Sequence, residues 1–278
     1  MDDLTALKAP TTRARRRSRR RLRPGVPWKA LRILAFYVAL TGLWQLVYTL
    51  EIWPPYVFPS PRDVFDTLRA KVEDGTIFDA AELTLRRMGI GYSLSIVVGI
   101  TVGVIMGTMR WVDETLGSLV LGLQSLPSVT WFPLAVLWFG LNEQAIIFVV
   151  LMGSVNSIAI SARSGVRAIP PLQMRAARMF GGKRWQMYLY VVLPGMLPSM
   201  VQGLKLGWSF AWRSLLAAEL LFVSASLGYL LQTGRDLNDV SLVVSVMVVI
   251  VFLGVAVDRL LFGRMEAWVN ERWGLAGR

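Results

Sequence analysis

Residues 89–109 read GIGYSLSIVVGITVGVIMGTM, a run without a single charged side chain. As a helix rising 1.5 Å per residue it spans about 30 Å, the thickness of a bilayer's hydrocarbon core. One such run is compatible with a buried helix of a soluble domain. This chain has several more, at Thr115–Asn142, Gln144–Ala162 and Val240–Val257. Only 17% of the 278 residues are charged and 54% are hydrophobic, against roughly 25% charged in ordinary soluble domains. The series predicts an all-α integral membrane protein with about six transmembrane helices. The expected spans lie at about Ala30–Leu50, Gly89–Met109, Leu116–Phe139, Ala145–Ala162, Val201–Val223 and Val240–Phe262.

The formal net charge of +12 is concentrated at the start, in Arg13, Arg15–Arg17, Arg19–Arg21 and Arg23. A basic run binds nucleic acid or anionic lipid, or simply holds a tail in the cytoplasm by the positive-inside rule. Nothing aromatic or folded accompanies this run, which favours the last reading over a nucleic-acid partner. Residues 1–29 are therefore expected as a basic, disordered cytoplasmic tail. The fourth loop carries Arg163, Arg167, Arg175, Arg178, Lys183 and Arg184 with no acidic residue, whereas the first carries five basic and seven acidic residues. The fourth loop is thus expected in the cytoplasm and the first and fifth outside, with both termini cytoplasmic. The chain has no Cys and no His, which removes disulfides, thiol nucleophiles, imidazole bases and the usual zinc ligands. No catalytic constellation is visible, and no metal site is expected.

Two spans carry small residues at helical spacing. Gly99, Gly103 and Gly107 recur every four residues in the second, and Gly203, Gly207, Ala211, Ser214 and Ala218 mark one face of the fifth. Small residues let helix backbones approach closely, which is how helices associate in lipid. Pro127 and Pro133 interrupt the third span. Freed backbone groups survive at membrane depth only inside protein or against a watery cavity, so this helix is expected to line the centre of the bundle. The polar segment 51–88 contains an amphipathic helical stretch.

Residues 173–197, QMRAARMFGGKRWQMYLYVVLPGML, are too polar to insert and too long for a turn. A short helix is expected near Leu172–Phe180, ended by Gly181-Gly182, and then a second piece that Pro194 breaks. The segment is either a functional cytoplasmic loop or a helix lying on the headgroups. Its pattern resembles the EAA loop of ABC-importer permeases: Ala176 and Ala177 match the alanines, Gly181 the glycine, Val191 the isoleucine, and Leu193-Pro194 the closing pair. Arg175 departs from the pattern, standing where the family usually has Glu. Further stretches resemble the nitrate/sulfonate/taurine branch of that family (binding-protein-dependent transport system inner membrane component): VFPSPRDVFDTL at 57–68, SLPSVTWFPLAVLWFGLNEQA at 125–145, AAELLFVSASLGYLLQTGRDLND at 217–239 and ERWGL at 271–275.

The resemblance implies the type I ABC importer (MetI-like) permease fold over residues 30–278, with a coupling loop at about 163–198. It also implies the location, the bacterial inner membrane, and the partners. These are a cytoplasmic ABC ATPase dimer, a second permease copy (a homodimer, or pairing with a sister chain) and an external solute-binding protein. ATP and Mg would sit on the ATPase, because this chain has no G-x-x-x-x-G-K-[ST] phosphate loop and binds no cofactor of its own. The chain is then a non-enzymatic subunit, and the solute a small anion such as a sulfonate, taurine or nitrate. The alternative is a gradient-driven secondary transporter or channel. Proton coupling, however, favours buried ionisable chains and many carriers show inverted repeats, and neither is visible here.

Candidate pathway residues follow from polarity inside spans. Arg213 lies about 12 Å along the fifth span from Lys205, near mid-depth, and either attracts an anionic solute through paired hydrogen bonds or pairs elsewhere in the bundle. Glu219, six residues on, is about 600° around the helix and a poor partner for it; it reads first as structural. Gln124, Ser125 and Ser128 either line the route or cap carbonyls freed by the prolines. Lys205 is expected to snorkel, and Trp131 and Trp138 to pack.

Overall fold

A computed structural model describes residues 28–181 and 183–273. The basic tail, apart from Trp28 and Lys29 at the start of the first helix, lies outside the described residues, as do Gly182 and the last two residues of the ERWGL stretch. Among the described residues there is no strand. The helices are α1 (Trp28–Thr49), α2 (Pro61–Glu73), α3 (Thr76–Thr108), α4 (Arg110–Gln124), α5 (Trp131–Phe139), α6 (Glu143–Arg167), α7 (Pro171–Met179), α8 (Arg184–Met187), α9 (Leu193–Leu220), α10 (Leu227–Asp236), α11 (Val240–Val257) and α12 (Gly263–Arg272). Five continuous helical stretches are long and apolar enough to cross a membrane, and the bent pair α4–α5 makes a sixth. Six spans are what the charge-free runs predict.

Helix α6 is the centre. More than half of its apolar window is buried (56%), against 0% for α1. It is flanked by α3 and α9, and the small-residue faces explain how. A Cβ added at Gly99 of α3 would fall 2.9 Å from Ile158 Cβ, and one at Gly207 of α9 2.7 Å from Ile158 Cγ1, so the same α6 side chain is held from both sides. Gly103 lies against the Ala159 carbonyl and Ala162, Gly107 against Val166, and Gly203 against Ser161. Gly203, Gly207, Ala211, Ser214 and Ala218 are all buried on one face of α9. Backbones this close gain dispersion contact that lipid cannot supply. At the periphery, α1 and α11 expose Leu34, Phe36, Val38, Val251 and Phe252. That is a liability in water and the expected surface in a bilayer.

Several sequence expectations are corrected. The second span does not begin at Gly89: α3 starts at Thr76 and runs 33 residues, about 50 Å, longer than the hydrocarbon core, because the charged first turns are helical although not lipid-soluble. The third span starts at Arg110 and is broken by a 95° bend between α4 and the short 3-10 turn Ser128–Thr130 that leads into α5. Pro127 causes this, having no N–H to bond Leu123 and disfavouring helix at Leu126. Pro133, in contrast, sits in the first turn of α5, where a missing N–H costs nothing.

Pro194 does not end a helix. The stretch Trp185–Leu220 is continuous, because a π-helical turn at Tyr188–Val192, with Leu193 N–H donating to the Tyr188 carbonyl, opens the ladder where the proline would clash. The segment expected as a loop at about 163–198 is thus partly helical span: α6 holds residues up to Arg167, and Val191, Leu193 and Pro194 belong to the continuous stretch that ends in α9. The amphipathic stretch in segment 51–88 is α2, which opens with a capping box between Ser60 and Asp63.

Replacing Gly207 by Leu is expected to destabilise the detergent-solubilised protein by about 1–3 kcal/mol through overpacking. Gly42 on α1 has nothing within 4 Å of an added Cβ, and Gly42→Leu should leave the thermal midpoint unchanged. Equal midpoints for the two variants would refute the packing role of the glycine face.

Candidate functional site

Where α4 breaks, its end faces the middle of α6 and the C-terminal part of α9 across a cavity of about 410 Å³. Gln124, Ser125 and Ser128 line it from the broken span, Asn156 and Ser157 from α6, and Arg213 from α9. Four of the five pathway residues expected from sequence are thus brought to one place. Ser125 lines the cavity while its Oγ donates to the Gly122 carbonyl at 2.7 Å, and Thr130 Oγ1 donates to the Pro127 carbonyl at 2.6 Å, so carbonyls around the break are capped. Arg213 is exposed and makes no ion pair or hydrogen bond among the described residues.

Glu219 is elsewhere. It is fully buried and sits at the end of the bundle near α10, where Arg87 Nη1 pairs with its Oε1 at 3.2 Å. Thr84 Oγ1 donates to its Oε2 at 3.0 Å and the Gly228 N–H donates to the same oxygen at 3.2 Å. Arg87, 2% exposed, also reaches Ser224 Oγ at 3.0 Å and Glu143 at 3.5 Å, and stands 5.5 Å over the Phe222 ring. The network joins α3, α6, α9 and α10. Sequence reasoning missed Arg87 because it was counted among loop charges. The signal that finds it is its place one turn after Thr84 and twelve residues before Gly99, on the buried face of a longer α3.

At the opposite end, Asp113 of α4 accepts from Arg163 Nη2 at 3.0 Å and also pairs with Arg167, both on the last turns of α6. Immediately beyond lies α7. Arg175, Ala176 and Ala177 are on it, with Arg175 exposed and the alanines half-buried. Gly181 turns the chain at φ +70°, a conformation that favours glycine. Leu172 (75%), Met179 (87%) and Phe180 (91%) are turned out to the surroundings. Lys205 does not simply snorkel; it stands 3.4 Å from Asp258 and 3.8 Å from Glu266. Trp131 and Trp138 pack edge-on against Phe148, as packing residues.

A bundle of apolar helices around a broken span and a polar cavity is the architecture of a polytopic membrane protein. Residues 96–271 match the family described as binding-protein-dependent transport system inner membrane component, and the chain belongs to that family. It is similar to the taurine transport system permease protein of Escherichia coli K12, 30% identical over 240 residues that cover 84% of this chain and 87% of that one. It is also similar to the bicarbonate transport system permease protein of Synechococcus elongatus, 29% identical over 201 residues covering 72% and 70%. A chain of the inward-facing MetNI methionine ABC transporter superposes with a TM-score of 0.62 at 20% identity, covering 70% of this chain and 96% of that one, which shows the MetI-like fold. The protein is an ABC importer permease subunit and a multi-pass membrane protein.

Breaking the buried pair by Arg87→Met alone is expected to cost about 3–5 kcal/mol, because it strands a buried carboxylate. The double variant Arg87→Met with Glu219→Leu should recover part of that loss, read as a higher melting midpoint than the single variant. A double variant no more stable than Arg87→Met would show that the pair is not the source of the loss.

Proposed function

We propose that this subunit forms the solute pathway of an ATP-driven importer, coupled to a separate ATPase through α7 and carrying a small oxyanion. The observation that supports coupling is the surface of α7 and its turn. Leu172, Met179 and Phe180 are apolar yet exposed, on a segment rich in Arg and Lys that the positive-inside rule assigns to the cytoplasm. Such a surface suits docking into a protein cleft better than contact with water. Arg175, Ala176, Ala177 and Gly181 then form the docking element, and Val191, Leu193 and Pro194 pass its movement into α9. The Asp113 link to Arg163 and Arg167 carries the same movement to the broken span, which borders the cavity. ATP and Mg act on the partner, and closure of the ATPase dimer favours one of two arrangements of the packed helices.

The remaining assignments follow from the same reading. The protein resides in the bacterial cytoplasmic membrane with both termini inside, the basic run from Arg13 to Arg23 lying on the cytoplasmic side of α1. Its partners are the ATPase dimer, a second permease copy completing the pathway, and an external binding protein on the side of α2 and α10. Nucleic acid is not a partner. The relatives named for taurine and for bicarbonate share an oxyanion group, and Arg213 in the cavity has the planar guanidinium suited to one.

Reconstituted with its ATPase, the chain should show turnover stimulated by the loaded binding protein. Gly181→Arg should abolish stimulation while the complex still expresses, because the turn at φ +70° is lost and the docking segment displaced. Solute movement driven by a gradient alone, with no ATPase association, would overturn the importer reading. Arg213→Ala should cut transport at least about tenfold while α7 still docks, in keeping with loss of a charge-assisted contact. Unchanged transport would remove Arg213 from the pathway.

A further inference from the structure

The cavity between the broken span and α9 holds a second polar group that the mechanism above does not use. Asn156 lies halfway along α6, thirteen residues from its first residue and eleven from its last. It is 7% exposed and lines the cavity, yet its side-chain amide makes no hydrogen bond to any described residue. Other polar side chains buried along α6 are satisfied locally: Ser154 Oγ donates to the Val150 carbonyl and Ser157 Oγ to the Ser154 carbonyl. The side chain is mostly covered, but its amide atoms are not sealed in: they open onto the cavity and are free to bond whatever occupies it. Gln124, Ser128 and Arg213 in the same wall also make no side-chain hydrogen bond among the described residues, and together with Asn156 they present the cavity with free polar groups that point to a ligand.

The charge of the lining limits what that ligand is. Arg213 is its one charged residue, and no carboxylate lines the cavity among the described residues. Glu219, on the same helix, is taken up by Arg87, Thr84 and the Gly228 N–H. The site offers a cationic fork and amide donors to an anion and no counter-charge to an ammonium group. A buried site whose polar groups are left unmatched rejects ligands strongly.

We propose that Asn156, together with Arg213, is a specificity-determining residue of the pathway, selecting a monovalent oxyanion without an ammonium group over a zwitterion bearing the same oxyanion. This deepens the reading of the cavity as the route of a small oxyanion and rests on it. Asn156 donates its amide N–H to one anion oxygen while the guanidinium holds others, and a zwitterion must leave its ammonium facing only neutral groups.

The chain contains no cysteine, so Ser125→Cys places a single thiol in the cavity of the otherwise intact permease–ATPase complex. The anionic reagent methanethiosulfonate ethylsulfonate should label it at least about tenfold faster than its trimethylammonium analogue, relative to a free thiol. This preference should vanish in Arg213→Gln. Ethanesulfonate should slow labelling, and taurine should need about tenfold higher concentration for the same protection. Asn156→Leu should weaken protection by ethanesulfonate by a similar factor, and Asn156→Asp, which adds a carboxylate, should abolish it.

Equal protection by the two sulfonates, or undiminished protection in Asn156→Leu, overturns the proposal. Stimulation of ATP hydrolysis by the binding protein is measured in the same preparations. If it persists while the selectivity fails, only the role of Asn156 is lost; if it is absent from the unsubstituted complex as well, the importer reading fails with it. Should Ser125→Cys itself disturb assembly, Ala217→Cys, which lines the same cavity, carries the same measurements with the same deciding outcomes.

Discussion

Ile158 is pinched between two glycines, Gly99 of α3 on one side and Gly207 of α9 on the other, and the arrangement of the whole bundle follows from that contact. Lipid tails are as apolar as any side chain, so burying leucines against one another yields little in a membrane. What remains is dispersion at close range, available only where nothing projects from the backbone. The glycine faces of α3 and α9 bring both backbones against α6, and the rest of the chain is arranged around that three-helix slab. Because α6 is wedged from both sides, it cannot shift without moving its neighbours, the property required of an element that passes movement from one end of a bundle to the other.

Charge is concentrated at the two ends of the slab, and between them α9 carries Lys205, paired with Asp258 and Glu266, and Arg213. At one end Arg87 and Glu219 tie α3, α9 and α10 together inside the protein. At the other, Asp113 joins the broken span to the last turns of α6, next to α7. Arg213, inside an apolar span, faces the cavity. An arginine there is costly unless water or an anion attends it. The broken span makes room for both: its bend at Pro127 opens the cavity, and the hydroxyls of Ser125 and Thr130 cap carbonyls beside the break. Irregular backbone at this depth is tolerated because it faces protein and a polar cavity rather than lipid.

The chain's own chemistry, read in order, determined the number of spans, their helical character, the small-residue faces and the segment that becomes α7, along with the polar residues of the broken span and Arg213. Each rests on a local rule: runs without charge, a spacing of four, a proline's missing N–H, a lone arginine in an apolar run. Tertiary structure decided what those rules leave open. Only a partner far along the chain distinguishes Arg87 as a buried tie from an ordinary loop charge, since its charge looks the same in either place. Only the π-helical turn at Tyr188–Val192 shows that Pro194 is absorbed, because a proline kinks or ends a helix according to what the turn before it can give up. Asn156 escaped notice for the same reason. A single amide in an apolar helix reads as harmless, and whether it is satisfied depends on neighbours that come together only when α4 breaks and α9 closes against α6.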